Sequence, residues 1–167
     1  MMTRTGTRLG LLVLIMATIG CDRVTKHFAA STLAHSPAQS LMMDTVRLDY
    51  AENTGAFLSL GATWPAAVRT GLFTTGNAIL LLAVVFAAAR GRWSGQALVG
   101  VALFVAGGVS NLADRIVRGS VIDFMNVGIG PVRTGIFNVA DIAIMLGAAM
   151  VAFATFRPHH DGHRRSH

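Results

Sequence analysis

Long apolar stretches separated by short polar segments are the main pattern of this 167-residue chain. Three of them, over 70–89, 93–113 and 136–156, contain no charged residue except Asp141. Each is about as long as the roughly 20 residues that a helix needs to cross a bilayer. A fourth stretch, over 9–21, is shorter and can cross only if it carries the charged residues that follow it to the far interface. The pattern therefore predicts an all-α membrane protein with four transmembrane helices, over about 9–29, 66–89, 93–115 and 136–156.

The first apolar stretch has a second interpretation. Arg4 and Arg8 precede it and Cys21 ends it, an arrangement that is also typical of a secretory signal peptide. Because three more apolar stretches follow along the chain, we interpret this one as the first membrane span.

The segment over 30–65 has a different pattern and predicts a β-rich insertion. Residues 45–50 alternate polar and apolar side chains, which is the period of a half-buried strand. The Asn53-Thr54-Gly55 sequence after them is typical of a turn, and residues 56–64 predict a second strand or a segment on the membrane surface. The Gly-rich segment over 116–135 predicts a loop, and the polar residues 157–167 predict a cytoplasmic tail.

Composition narrows the class of protein. The chain is 53% hydrophobic and 13% charged, which excludes a soluble globular domain of this size. Its net charge of +6 suits an anionic membrane surface, and we expect no nucleic-acid partner because aromatic and basic residues are not interleaved. The single cysteine excludes an internal disulfide, and no His/Cys cluster has the spacing of a metal site.

The charges also predict an orientation. Basic residues are densest at the termini and in the turn over 90–92, which places both termini in the cytoplasm by the positive-inside rule. With four antiparallel spans, odd spans then end at the outer leaflet and even spans begin there. The unusual polar residues therefore all lie at that leaflet: Asp22, Lys26, Asn53, Asn111, Asp114, Arg115, Asp123, Asn138 and Asp141.

Carboxylates at a membrane border are costly, so they are candidates for function. A short loop can fold Asp123 against Asp141, and two carboxyl groups within hydrogen-bonding distance share a proton. The protonated member can donate to a carbonyl or a leaving amine, and the ionised member can accept a proton from water. The helix N-terminus favours the charge on Asp141. A structural alternative stays open, in which Asn138 caps the fourth helix and Asp141 completes a capping box.

Five short motifs in these segments resemble those of the bacterial lipoprotein signal peptidases, the type II signal peptidases. They occur in the family's order between about Asp22 and Gly147, and only their combination is specific. Ser110 departs from the pattern, since it stands where the family usually has glycine. The motifs are Asp22-Arg23-Val24-Thr25-Lys26, Asn53-Thr54-Gly55-Ala56, Asn111-Leu112-Ala113-Asp114-Arg115, Ile122-Asp123-Phe124 and Phe137-Asn138-Val139-Ala140-Asp141.

The resemblance implies an intramembrane aspartic endopeptidase in the bacterial cytoplasmic (inner) membrane, with its active site near the outer leaflet and a small extracytoplasmic β-sheet. Such an enzyme removes the signal peptide of a diacylglyceryl-modified prolipoprotein and cuts before the lipidated cysteine. It implies no cofactor, and we expect a monomer surrounded by phospholipids. The implied residues are catalytic Asp123 and Asp141, substrate-binding Asn53, Gly55, Asn111, Arg115 and Asn138, and supporting Asp22, Lys26, Asp114 and Ala140.

A rival interpretation is a small transporter or lipid-binding membrane protein. In it, Asp22, Lys26, Asp114 and Asp141 form a proton or ion relay. A relay should place its acids near the middle of the bilayer, whereas the predicted spans place these acids at the border. The sequence therefore favours the peptidase.

Overall fold

The computed structural model describes residues 4–55, 64–91 and 93–156 of the chain. These residues form four helices and four strands. In chain order they are α1 (Arg4–Thr32), β1 (Gln39–Leu41), β2 (Val46–Asn53), α2 (Ala66–Arg90), α3 (Gly95–Arg118), β3 (Val121–Ile129), β4 (Val132–Arg133) and α4 (Val139–Phe156).

Three of the described helices are long and apolar enough to cross a membrane, judged by length and composition. They are α3, α4 and the Ala67–Arg90 part of α2. The helix α1, whose second half carries Asp22, Arg23 and Lys26, is not among them. The structure thus confirms a mostly helical chain with three candidate membrane helices and a small antiparallel sheet.

The helices α3 and α4 pack closely because glycines leave no side chain between them. A Cβ added to Gly147 would lie 2.4 Å from the carbonyl oxygen of Gly100, and one added to Gly107 would lie 2.3 Å from that of Ala140. Only glycine fits at such distances, and small residues of this kind let membrane helices approach closely. The contact at Gly107 brings the second half of α3 against the first turn of α4.

The four strands form one antiparallel sheet in the order β1-β2-β3-β4. The strand predicted over residues 45–50 is confirmed as β2, which pairs with β3 so that Asn53 lies opposite Val121 and Ala51 opposite Asp123. The second element predicted over 56–64 falls almost entirely outside the described residues.

The prediction of a loop over 116–135 is wrong, because most of this segment is helix end and strand. The helix α3 continues to Arg118 and ends where Gly119 adopts a φ of 76°, a left-handed conformation that favours glycine. The strands β3 and β4 follow. Since Val121–Phe124 in β3 are all buried, no polar and apolar alternation marks this strand in the sequence.

Other predicted helix boundaries also shift. The helix α1 continues to Thr32, so its last turn takes up the start of the segment that was predicted as a β-rich insertion. The helix α4 begins at Val139 rather than at residue 136, because Phe137 still forms a bridge with β3 and Asn138 acts as the helix cap.

The packing of β3 fixes the direction of Asp123. Ile122 and Phe124 on this strand are buried against Ala29 and Leu33 at the end of α1. Because successive side chains of a strand point to opposite faces, Asp123 points away from that core. It is only 3% exposed, and its carboxyl group lies against the residues that begin α4.

Candidate active site

Two carboxyl groups held by three asparagines form the centre of the candidate site. Asp123 Oδ2 accepts from Asn53 Nδ2 at 3.0 Å and its Oδ1 accepts from Asn138 Nδ2 at 2.7 Å. Asp141 Oδ1 accepts from Asn111 Nδ2 at 2.9 Å, and its Oδ2 accepts from the main-chain N–H of Asn138 at 3.1 Å. All four carboxyl oxygens therefore face amide donors.

The two carboxyl groups do not hydrogen-bond to each other among the described residues. Asn138 lies between them instead and donates to both, through its side chain to Asp123 and through its main chain to Asp141. The expectation of direct contact is thus replaced by a bridged pair, in which the two groups still interact electrostatically.

The first turn of α4 is capped twice. The Asp141 N–H donates to Asn138 Oδ1 at 2.9 Å while Asp141 Oδ2 accepts from the Asn138 N–H, which is the capping box of the structural alternative. Asp22, from α1, accepts from the Ala140 N–H at 2.8 Å. The cap and the candidate catalytic role are compatible, because Asp141 also lines a cavity.

Two further asparagines are held in one orientation by their partners. Asn53 Oδ1 accepts from the Gly55 N–H at 3.0 Å, and Asn111 Oδ1 accepts from Lys26 Nζ at 2.7 Å. Because an amide N–H and an ammonium can only donate, the oxygen of each side-chain amide must face them. The NH₂ group of each asparagine is consequently directed at a carboxyl group of the candidate site.

A buried ionic cluster lies next to these asparagines and consists of Asp22, Lys26, Ser110 and Asp114. Lys26 Nζ is 2.7 Å from Asp22 Oδ2 and 2.8 Å from Asp114 Oδ2, the latter an ion pair that lacks hydrogen-bond geometry. Ser110 Oγ donates to Asp22 Oδ2 at 2.6 Å. Both carboxylates are at most 1% exposed, so Lys26 compensates two charges that are removed from water.

Asp114, which the resemblance implies as a supporting residue, does not pair with its neighbour Arg115. Asp114 pairs with Arg23 and Lys26 of α1, because adjacent residues of a helix point in different directions. Arg115 donates instead to the carbonyl oxygen of Gly55 at 3.0 Å. Arg115 therefore links α3 to the chain that follows β2.

The candidate site opens on a cavity of about 640 Å³ between α2, α3 and α4. Asn53, Asn111, Arg115 and both aspartates line it, together with an apolar wall. The apolar wall includes Leu72, Phe73, Leu80, Ile144 and Met145.

Two of the seven residues predicted as catalytic or substrate-binding, Asn138 and Gly55, do not line the cavity. Asn138 is 0% exposed, and Gly55 touches the site through its main chain, so both act on neighbouring groups. Sequence reasoning missed Arg23, which pairs with Asp114, and Asn77, which lines the cavity. The signal for Asn77 was a side-chain amide inside an apolar stretch.

Burial raises the pKa of Asp123 to about 6, against the opposing effect of the hydrogen bonds from Asn53 and Asn138. The negative charge of Asp141 raises the pKa of Asp123 further, while the positive charge of Lys26 lowers it. A carboxyl group in this range can hold and release a proton near neutral pH. Within the described ranges, no group of three or more His, Cys, Asp or Glu side chains is arranged to hold a metal ion.

The family model that this chain matches and three of its curated relatives are all described as signal peptidases. A family model described as signal peptidase (SPase) II matches residues 14–157. The lipoprotein signal peptidase of Mycobacterium leprae is 34% identical, with 86% of this chain and 70% of the relative covered. That of Pseudomonas syringae pv. tomato is 33% identical, with 90% and 87% covered, and that of Syntrophus aciditrophicus is 33% identical, with 81% and 88% covered.

Solved structures support the fold. One, described as a bacterial membrane enzyme, aligns with a TM-score of 0.81 and 21% identity over 95% of this chain and 94% of its own. A second with the same description gives a TM-score of 0.76 and 22% identity, with 89% and 93% covered. At these identities the likeness concerns the fold alone.

Proposed function

Because this chain belongs to the signal peptidase II family, we propose that it removes the signal peptides of diacylglyceryl-modified prolipoproteins. It cuts before the lipidated cysteine, and Asp123 and Asp141 are its aspartic catalytic pair. Its family makes it a protease and a multi-pass membrane protein that acts on prolipoproteins. The observation that carries the aspartic mechanism is the placement of both carboxyl groups in one cavity, each held by amide donors. The relay interpretation is not favoured.

In the proposed reaction Asp123 is the acid and Asp141 the base. We assign the proton to Asp123, whose pKa burial raises to about 6, and the charge to Asp141, because the N-terminus of α4 favours a negative charge there. Water loses a proton to Asp141 and attacks the scissile carbonyl carbon, while Asp123 gives its proton to the carbonyl oxygen. Collapse of the tetrahedral intermediate breaks the C–N bond, the leaving amine takes the proton from Asp141, and the hydroxyl proton returns to Asp123.

The remaining site residues divide by their access to the cavity. We assign Asn53, Asn111 and Arg115 to contact with substrate or with the carboxyl groups, since they line the cavity. Asn138 is fully buried and is assigned to positioning. The apolar wall formed by Leu72, Phe73, Leu80, Ile144 and Met145 suits the apolar segment of a signal peptide.

We extend the proposal to membrane topology, with α1 as a fourth span. The helix α1 exposes many large apolar side chains, among them Leu12, Met16 and Phe28. Its charged Asp22 and Lys26 are buried against α3 and α4 rather than turned to lipid, which lowers the cost of placing them near a membrane. One chain supplies every residue of the site, which supports a monomer surrounded by phospholipids.

A topology reporter tests this arrangement in the bacterial cytoplasmic membrane. Reporters fused after Arg92 or Arg165 should be cytoplasmic, and one inserted near Ser40 should be extracytoplasmic, because basic ends are retained inside. A reporter after Arg165 on the outside would contradict the proposed parity and separate the polar residues between the two leaflets.

Cleavage by the purified, membrane-reconstituted protein tests the substrate. A diacylglyceryl-modified prolipoprotein should be cut and its unmodified form should not, because the acyl chains hold the cleavage site at the bilayer border beside the cavity. Mass spectrometry of the products locates the cut. The Asp123→Asn protein serves as the control for contaminating proteases. Equal cleavage of both precursors would mean that the enzyme does not require the lipid modification.

A further inference from the structure

One polar side chain in the apolar wall of the cavity has no role in the reaction described so far. Asn77 lies in α2, within a stretch that carries no charge. Its side chain is half-buried and lines the same cavity as Asp123 and Asp141. A side-chain amide in the membrane-spanning part of a helix is costly unless it has partners.

The amide of Asn77 is mostly unpaired. Its Nδ2 donates to the carbonyl oxygen of Gly108 at 3.4 Å, which is near the limit for a hydrogen bond. In the part of the chain that the structure describes, its Oδ1 has no hydrogen-bond partner. The side chain therefore has one free acceptor and a weakly held donor on the cavity wall.

Helix packing by itself does not account for this amide. The contact between α2 and α3 at this height is made by Leu81, whose side chain fills the space beside Gly108. A hydrogen bond of 3.4 Å adds little to such a contact, and an apolar residue at position 77 would make it without an unpaired amide. The free acceptor is better explained by a ligand that enters the cavity.

A signal peptide supplies groups that need such a partner. Peptide hydrolysis requires access to a main-chain carbonyl, so the substrate must be unwound at the cleavage site. Unwinding leaves main-chain N–H and C=O groups unpaired, and each unpaired group costs several kcal/mol in an apolar environment. An asparagine can accept from one such N–H and donate to one such C=O.

We propose that Asn77 is a substrate-contacting residue that hydrogen-bonds the main chain of the unwound signal-peptide segment on the α2 side of the cavity. This inference rests on the proposed function and adds to it a residue that none of the five motifs contains. The recognised chemistry is the peptide bond itself, so Asn77 contributes to binding of the extended substrate whatever its side chains are.

Kinetics of Asn77→Leu with a lipidated precursor peptide test the proposal. Loss of one main-chain hydrogen bond should raise KM about tenfold and leave the pH profile of kcat unchanged, because the carboxyl groups keep their partners. The midpoint of thermal unfolding should stay at the wild-type value. Thr75→Leu is the matched control, since Thr75 is an exposed residue of α2 that does not line the cavity, and its KM should not change.

A set of precursor peptides with single ester bonds in place of amides locates the contact. Each ester removes one main-chain N–H. At one position the ester should raise KM for the wild-type enzyme and have no further effect on Asn77→Leu.

An unchanged KM for Asn77→Leu, or additive losses at every ester position, would overturn the inference while the proposed function stands. A lower unfolding temperature with unchanged KM would assign Asn77 to helix packing and would also overturn it. Failure of the wild-type enzyme to cut the lipidated precursor peptide that contains no ester bond would overturn both the inference and the function on which it rests.

Discussion

Replacing either Asp123 or Asp141 with asparagine should lower the rate of precursor cleavage by at least about 10³-fold. Asparagine preserves the size of the side chain but can neither hold nor accept the proton that the proposed reaction moves. Cleavage is measured on membrane-reconstituted protein at matched amounts, with insertion checked by membrane extraction. Turnover near the wild-type rate by either variant would remove that residue from the pair.

The double variant distinguishes a pair from two independent sites. If the two carboxyl groups act as a unit, the double variant should be no slower than the slower single variant. Asp49→Asn is a matched control, because it makes the same chemical change in the sheet at a residue that does not line the cavity. Its activity should equal that of the wild type.

Stability gives the Asp123→Asn variant a second readout. Because the pKa of Asp123 is raised from 3.8 to about 6 in the folded state, the wild type loses stability as pH rises between these values, by an amount on the order of 3 kcal/mol. The variant lacks this loss. It does lose one hydrogen bond at every pH, since an amide cannot accept from both Asn53 and Asn138.

The difference in free energy of unfolding, variant minus wild type, should therefore increase between about pH 4 and pH 6 and level off above. A difference that stays constant with pH would mean that Asp123 ionises in the folded protein as it does in the unfolded chain.

Sequence alone could predict the elements whose residues share one environment along their length. The apolar stretches of α2, α3 and α4 have uniform hydropathy, which predicts membrane helices. Residues 45–50 alternate polar and apolar side chains, which predicts a strand. The strand β3 could not be predicted in this way, since Val121–Phe124 are buried on both faces. One face packs in the core against α1, and the other borders the cavity. Burial of both faces depends on the tertiary fold, so the local sequence pattern does not indicate this strand.

The contacts between side chains of different helices were harder to predict than the positions of the site residues along the chain. The motifs placed Asp114 near the site, but its ion pairs are with Arg23 and Lys26, far away in sequence. That choice depends on the rotation of α3 about its axis, which is fixed by glycine contacts with α4. The Asn138–Asp141 cap, by contrast, is made of residues three apart and could be derived from local spacing.

We expect the buried ionic cluster to affect both the stability of the protein and its catalysis, and Lys26 is the residue that contributes to both. Its ammonium group compensates Asp22 and Asp114 and also holds the oxygen of Asn111. Asn111 in turn donates to Asp141. Lys26 therefore orients an amide that hydrogen-bonds one member of the candidate catalytic pair.

Replacing Lys26 with methionine, which has similar length and no charge, should lower the free energy of unfolding by about 3–5 kcal/mol, because two buried carboxylates lose a partner. Freed from Lys26, the Asn111 amide can rotate and present its oxygen to Asp141, so kcat should fall by about 10²-fold. Arg23→Met removes the other partner of Asp114, but the Arg23 side chain is 39% exposed. Its cost should be about 1 kcal/mol or less, with kcat unchanged.

A double variant tests the route through Asn111. If Lys26 acts on catalysis by orienting this amide, then adding Lys26→Met to Asn111→Ala should not lower kcat beyond the loss from Asn111→Ala alone. The free energy of unfolding should still fall, because the loss of charge compensation does not depend on Asn111. Independent, multiplying losses in kcat would mean that Lys26 affects the carboxyl pair through its charge and not through the asparagine.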